Sequence, residues 1–417
     1  MKTAYKFRLY PKKQQEAKLS LTLETCRHFY NDALAARKTA WETGEGILSL
    51  PYKQQLTLAN CRTQIHSQVL QNVLRRLDKP ILAAFGRIKA NTTRSKKAKK
   101  IKPGFPRFKS KNRYKSFTYP QSGFKIEGTR LVLSKIGPIR IFKHREIEGK
   151  IKTCTLKRDS TGCWYAILVT ETPDISREPP NQRLVVGVDL GTKREKDSTT
   201  GKSTGRLATL SNGKQILYPR YFAEGEERLK VAQTVLSRKK EGSKNREKAR
   251  IKLAKLHKKI LNQRDDFLHK NSRKLVDLAD LIIFEKLQIE GLSRGKNRSK
   301  DMHDHALRKF TEFTIYKAER AGSAVEFVNP RDTTKECSLC HLPIKMGPGD
   351  RVHKCPCGLS LDRDHVASIN ILYKGLAKLD IPTENNFDLY QMEDGTLGLR
   401  GSACIDLVDY YWNAGSL

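Results

Sequence analysis

No run of apolar residues in the chain approaches the ~20 that a membrane-spanning helix needs, and the opening "MKTAYKFRLY" lacks the apolar core of a signal peptide. Both absences argue against a membrane protein and set the expectation of a cytoplasmic one. Acidic residues are scarce. Forty-four Asp and Glu stand against 81 Lys and Arg, a net charge of +37. That imbalance favours a polyanionic partner, nucleic acid ahead of an anionic membrane. A disulfide framework is also missing. The cysteine count is odd, and Cys26, Cys61, Cys154, Cys163 and Cys404 are scattered, so they read as ordinary buried thiols in a reduced compartment. The length of 417 residues leaves room for two or three domains.

What is present changes character along the chain. Residues 1–10 alternate, with Tyr5, Phe7 and Leu9 on one face, and predict a strand ended by Pro11. Lys13 to Lys89 carries helical periodicity, including a stripe of Leu70, Val73, Leu74 and Leu77. Residues 94–115 hold eleven Lys and Arg and no acid, interleaved with Phe105, Phe108 and Tyr114. Cations among aromatics suit phosphate contacts and base stacking, although a charge run is also what a solvated loop looks like. Short alternating runs return over 116–172, with a tight turn at Asp159–Gly162. They predict a small β-barrel or sheet into which the helical region is inserted. A Pro-rich linker, "TPDISREPPNQR", precedes a second domain that opens near Leu184 with "LVVGVDLGT". There follow a hairpin signal at Asn212-Gly213, a basic helical hairpin over 221–276, the apolar strand "ADLIIFEKL", a helix near Ala306–Ala321 and the strand "AVEFVNP". The tail from Ile381 turns acidic, with six Asp and Glu against Arg400 alone, and is expected to be loosely ordered.

Four cysteines do cluster. "CSLC" supplies Cys337 and Cys340, and "CPC" supplies Cys355 and Cys357, two knuckles able to close a tetrahedral site for structural Zn²⁺. His341 and His353 flank them as possible substitutes. Three acids also stand where a metal-dependent active site would want them. Asp189 ends "LVVGVD", Glu285 ends "LIIFE", and Asp364 opens a helix just after the second knuckle. A strand-end acid is usually a turn residue. Three together can gather Mg²⁺, and a pair of such ions suits phosphodiester hydrolysis.

The residues then resemble a known family. "KFRLYPKKQQEAKLSLTLETCRHFYNDAL", "VLRRLDKPILAAF", "GFPRFKSKNRYKSFTY" and "GKIKTCTLKRDSTGCWYAILV" carry the resemblance, which becomes diagnostic at "VVGVDLG", "LIIFEKLQIEGL", "CSLC" and "CPCGLSLDRD". The sequence is similar to TnpB, the RNA-guided nuclease of insertion sequences, related to type V CRISPR effectors. The resemblance implies a multidomain α/β protein. A β-barrel wedge domain (1–10 and 116–176) would be interrupted by a helical recognition domain (11–115). An RNase H-like RuvC domain (177–330 and 359–380) would carry an inserted zinc ribbon (331–358), before an acidic tail (381–417). It further implies Asp189, Glu285 and Asp364 as the catalytic, Mg²⁺-binding triad, with Asp362 as the alternative third acid. The implied partners are a guide RNA from the same element, double-stranded target DNA beside a short motif, and a co-encoded transposase. Gln71, Arg75 and Arg76 fall in a region suited to nucleic-acid contacts. The implied location is the prokaryotic cytoplasm, at the nucleoid when bound to DNA.

Three departures stand out. A polar insertion, "KREKDSTTGKSTG", follows Thr192 and predicts a surface loop. Val366 stands where the family carries Asn, which would remove an amide near Asp364 and weaken cleavage. The second knuckle is C-x-C rather than C-x-x-C. The alternatives to a nuclease are a catalytically weak or inert guide-directed DNA-binding regulator and a transposase acting on element ends.

Overall fold

A computed structural model describes residues 2–43, 65–94, 101–102, 104–172, 184–196, 203–286, 306–347, 349–381, 387–391, 397–401 and 403–404. The Pro-rich linker, Cys61 and part of the 94–115 basic run lie outside these residues. The chain divides into two compact units, Met1–Asp174 and Ile175–Leu417.

The first unit runs β1 (Lys2–Tyr10), α1 (Lys13–Glu42), α2 (Ser67–Thr92), β2 (Ser116–Tyr119), β3 (Phe124–Glu127), β4 (Arg130–Leu133), β5 (Gly137–Phe142), β6 (Lys150–Arg158) and β7 (Trp164–Glu171). The strands form one antiparallel sheet in the order β2-β6-β7-β1-β5-β4-β3. β1 is therefore central, paired along its length to β7 and at Arg8–Tyr10 to β5. Its alternation buries Tyr5, Phe7 and Leu9 against α1 and α2. The α2 stripe is buried in the same core, and Arg37 of α1 reaches Asp78 of α2 at 2.6 Å.

The basic run is anchored rather than loose at its C-terminal half. The Asn31 amide accepts from the Lys109 N–H at 2.8 Å and donates to the Lys109 carbonyl at 3.0 Å. Two of the interleaved aromatics serve the core instead of a surface. Tyr114 is buried, and Phe105 packs against the core cluster. Only Phe108 is exposed among the three, with the Lys38 ammonium 5.1 Å from its ring centre.

The second unit begins with β8 (Leu184–Lys196), β9 (Ser203–Leu210) and β10 (Gln215–Tyr218), followed by α3 (Tyr221–Ser237) and α4 (Lys244–Leu278). β11 (Leu281–Glu285), α5 (Leu307–Ala321) and β12 (Ala324–Val328) continue the layers. A small hairpin of β13 (Val352–Lys354) and β14 (Ser360–Asp362) leads directly into α6 (Arg363–Lys378). The main sheet has the order β10-β9-β8-β11-β12, with β8, β11 and β12 parallel. The parallel strands are near-continuous apolar runs because both faces are covered. One face meets α4 and α5 through Val186, Val188 and Phe284. The other meets α6 through Val185, Ile283 and Leu372.

α6 lies unusually close to that second face. A Cβ added at Gly187 would overlap the Ser368 carbonyl oxygen and stand 2.7 Å from the Leu372 nitrogen. A Cβ at Gly375 would overlap the Ile283 side chain. Glycine at 187 lets helix backbone rest on strand backbone, and glycine at 375 leaves room for the Ile283 side chain.

Two expectations change. The insertion after Thr192 is not simply a loop, because β8 continues to Lys196 and β9 resumes at Ser203, pairing Lys193 with Arg206 and Lys196 with Ser203. Residues 197–202 lie outside the described residues. Nor is the acidic tail uniformly without structure. β15 (Phe387–Gln391) pairs with β16 (Leu397–Gly401), and β17 (Ala403–Cys404) pairs with Val185 and Leu184 of β8. β9 joins β8 only from Val188 onward. The start of β8 therefore has backbone groups to pair on that side, and β17 takes them.

Gly187→Ala is expected to cost at least the ~1–3 kcal/mol typical of overpacking. Thermal unfolding should show this as a fall of roughly 2–4 °C per kcal/mol for a unit of this size.

Candidate active site and cysteine cluster

The carboxylates meet at one edge of the sheet because of strand register. Phe284 of β11 lies beside Val188 of β8 in parallel pairing. The next residues, Glu285 and Asp189, therefore emerge side by side where the parallel pairing stops. Glu285 ends β11, whereas Asp189, expected to end its strand, is followed by seven more residues of β8 paired with β9. Such an edge is where open α/β sheets place their ligands. Glu285 is buried, at 9% exposure. Burial pushes its carboxyl up to about 7. Asp189 is raised well above the usual carboxylate range, first by burial and then by the negative charges of Glu285 and Asp364.

The third acid arrives on α6. β14 ends at Asp362, whose side chain caps the helix by accepting the Asp364 N–H at 2.9 Å. Arg206 of β9, nearly buried, donates through Nη1 to Asp362 Oδ1 at 2.9 Å and to Asp364 Oδ2 at 3.2 Å. Lys193 Nζ reaches Asp362 Oδ2 at 3.4 Å. Burial alone would raise the Asp362 carboxyl, but Arg206 and Lys193 beside it hold it below its ordinary value. Both Asp362 oxygens are thus engaged by the protein. Arg206 takes Asp364 at Oδ2, and Asp364 Oδ1 lies 4.0 Å from Arg363 Nε. The geometry favours Asp364 over Asp362 as the acid available to a ligand.

The turn after β9 supports the helix from beneath. Gly187 N–H donates to Ser211 Oγ at 3.2 Å, and His365 Nε2 lies 3.1 Å from the Ser211 carbonyl oxygen. Gly213, at φ +80°, passes under the His365 ring, 3.3 Å from where its Cβ would be.

The two cysteine knuckles converge. All four sulfurs lie within 4.8 Å of one another, with Cys337–Cys357 at 3.6 Å and Cys340–Cys355 at 3.4 Å. Tetrahedral Zn–S bonds of ~2.3 Å would set sulfurs about 3.8 Å apart, so the donor set fits that ion. The Leu342 N–H holds the Cys340 thiol down at about 7, while burial pushes Cys337 up to about 12. Among the described residues neither His341 nor His353 joins the sulfur cluster. His341 packs edge-on against Tyr373, and His353 is buried in β13. Cys355 and Cys357 sit in the turn between β13 and β14, so the knuckle is joined to Asp362 and Asp364 by a single three-residue strand.

Val366 faces this cluster. It is fully buried with Cys337, Cys355, Leu359, Leu361 and Ile369. The idea that its missing amide weakens Asp364 is therefore not supported by its surroundings, which are apolar. Asn370, one turn further, donates to the Thr333 and Glu336 carbonyls, both at 2.8 Å, and fixes the loop before Cys337. Of the residues in the first unit singled out for nucleic acid, Arg76 holds the Ser116 carbonyl at 2.7 Å and lies over Tyr114, a structural assignment. Arg75 is exposed.

Lys193, Arg206, Gly187 and Asn370 escaped the sequence reading. Arg206 had one available signal, as a single base abutting the apolar run "LATL". Its partners lie more than 150 positions away.

Comparison with known proteins places this geometry. Residues 166–296 match a family described as "Probable transposase" (OrfB_IS605), and residues 308–371 match "Cas12f1-like, TNB domain". Residues 1–46 match a family described as "Helix-turn-helix domain". Their described part here is one strand and one long helix. A Streptomyces pristinaespiralis protein named "Putative RNA-guided DNA endonuclease" is 31% identical over 395 residues, 90% of each chain. An Escherichia coli protein named "Putative RNA-guided DNA endonuclease InsQ" is 29% identical, over 81% of this chain and 83% of its own. The solved structure titled "Cryo-EM structure of the Cas12f1-sgRNA-target DNA complex" aligns at a TM-score of 0.50 and 14% identity, covering 87% of this chain and 83% of that one.

Two outcomes follow from the site. Groups with raised carboxyl pKa bind more protons folded than unfolded, so their contribution to stability falls as pH climbs from about 4.5 to about 7. In magnesium-free buffer, Glu285→Gln should melt above the wild type, with a gap that widens across that interval in a pH series of thermal scans. Val366→Asn should lose about 1–3 kcal/mol through a buried, unpaired amide, measured by urea unfolding, with no gain in nucleic-acid cleavage.

Proposed function

Because the chain belongs to the TnpB family, we propose that it is an RNA-guided DNA endonuclease that hydrolyses phosphodiesters at Asp189, Glu285 and Asp364. The observation that carries the reading is the convergence of three acids from β8, β11 and α6 at one sheet edge, two with raised carboxyl pKa. Burying carboxyls beside one another costs stability, and cation binding is the function that makes it useful. An all-oxygen donor set suits Mg²⁺ better than a softer ion. When bound, a pair of such ions would activate water and neutralise charge on the leaving oxygen.

The protein's own residues do the positioning. Glu285 and Asp189 present adjacent carboxylates from rigid, buried strands, and they would give up their protons as the cation enters. Asp364 offers Oδ1 while its other oxygen is held by Arg206. Cys337, Cys340, Cys355 and Cys357 would hold one structural Zn²⁺, bracing the strand that carries Asp362 into α6. The surplus of 37 positive charges supplies non-specific affinity for a guide RNA and for double-stranded target DNA. Base pairing would read the target, leaving the protein a short adjacent motif and the RNA backbone.

The domain reading completes the proposal. Residues 1–10 and 116–176 would form the wedge around a recognition insertion at 11–115. The RuvC domain would take 177–330 and 359–380, with the zinc ribbon at 331–358 and the tail at 381–417. A transposase encoded by the same element would be the genetic partner.

The test is cleavage of a plasmid library randomised beside the target, using protein co-purified with RNA from its own locus. Cutting should require the RNA and Mg²⁺, and EDTA should abolish it. Asp189→Ala should reduce it beyond the ~10–100-fold that losing a mere partner of a metal ligand costs. Guided binding with no cutting in wild type would instead make the protein a DNA-binding regulator.

A further inference from the structure

The strand carrying Arg206 is irregular on both sides at Leu207. Toward β8 the register shifts between Leu190 and Lys193, and toward β10 it shifts between Ile216 and Leu217. Bulges of this kind break the two-residue alternation and turn a side chain to the other face. Ala208 packs into the core shared with α4 and α5. Arg206, two residues earlier and due to share its face in a regular strand, instead reaches the start of α6.

There its guanidinium is only 5% exposed and touches both acids of the Asp-Arg-Asp turn. Asp362 is a hub: Oδ1 accepts from the Asp364 N–H and from Arg206, and Oδ2 from Lys193, the residue paired with Arg206 across the two strands. Three donors fix one carboxylate, and that carboxylate fixes the first turn of the helix. Arg206 also binds Asp364 directly, at Oδ2.

Building on the carboxylate-site reading above, we propose that Arg206, aimed by the double bulge and backed by Lys193, is a positioning residue that orients Asp364 for the metal. By holding Oδ2 and the Asp362 cap together, it commits one face of the Asp364 carboxylate and turns Oδ1 toward Asp189 and Glu285. The ribbon continuing β8 and β9 beyond this point would then act as a handle on the site: whatever bends it moves Lys193 and Arg206 together. The opposite role, a cation that occupies the metal's place and must be displaced, fits less well. A guanidinium in that role would bind the Asp364 oxygen nearest the other two acids, whereas Arg206 Nη1 divides between Asp362 Oδ1 and Asp364 Oδ2.

The experiment is a Mn²⁺ titration of the full chain, zinc-replete and free of magnesium, followed by electron paramagnetic resonance. Wild type, Arg206→Ala, Arg206→Lys and Asp189→Ala are compared, with thermal scans confirming that each is folded. Arg206→Ala should weaken Mn²⁺ binding about 10–100-fold. Arg206→Lys, which keeps the charge but loses the fork, should fall between it and wild type. In cleavage, Arg206→Ala should raise the Mg²⁺ concentration needed for half-maximal rate more than it lowers the rate at saturation. Unchanged or tighter Mn²⁺ binding in Arg206→Ala, with Asp189→Ala impaired, overturns the positioning role alone. Undiminished binding in Asp189→Ala overturns the carboxylate site itself and this inference with it. Should Arg206→Ala fail to fold, the Arg206→Lys affinity decides: equality with wild type counts against the proposal.

Discussion

The second unit depends on one close approach, the seating of α6 directly on β8 at Gly187. With no side chain between them at Gly187, helix backbone and strand backbone share a fixed separation, and at Gly375 the helix closes on the Ile283 side chain. Apolar contacts of Val185, Ile371 and Leu372 close around this seam. A catalytic carboxylate on a helix is useful only if the helix cannot slide relative to the strands that carry its partners. Here backbone contact limits sliding more tightly than interdigitated side chains would, because no rotamer change can relieve an overlap of main-chain atoms.

Everything at the sheet edge inherits that rigidity. Strand register brings Asp189 beside Glu285, and the seam sets the height at which Asp364 arrives. The cysteine cluster adds a second constraint from the other side. Its hairpin enters α6 through a three-residue strand, and Val366 and Ile369 pack the helix against the sulfurs. Four residues separate the cysteine knuckle from the Asp362–Asp364 turn, and the consequence is mechanical. A short lever held at both ends presents its middle accurately. Burial of the strand ends raises the carboxyls of Glu285 and Asp189, and at Asp189 the neighbouring acids add to it.

Legibility in the sequence divided along the range of the interactions. Asp189, Glu285 and the four cysteines could be read because each sits in a local pattern with a physical cause: an apolar strand that ends in charge, or paired thiols at knuckle spacing. That β1 belongs with the later strands could be read from its alternation and from the strands that follow the helices, but its central place in the sheet could not. Local signals failed where a partner is remote. Arg206 looks like any base in a polar stretch until Asp362 and Asp364 are brought to it. Phe105 and Tyr114 read as stacking groups beside lysines, yet they face a core supplied by α1, α2 and β2. Val366 read as a missing amide because only its neighbours in sequence were visible, and its neighbours in space are thiols and leucines.

The same contrast separates the two acids of Asp-Arg-Asp. In sequence the two aspartates are equivalent, each flanking Arg363. In the fold, position relative to the helix start separates them. The first stands at the cap, where its oxygens are drawn to the Asp364 N–H and to the cations of β8 and β9. The second lies inside the first turn, with one oxygen left over. A carboxylate saturated with donors is stable, low in pKa and poor at binding anything else; one that is half satisfied is a ligand in waiting. The division of labour is set by one residue of helical geometry, and the ribbon that supplies Arg206 keeps the two roles from exchanging.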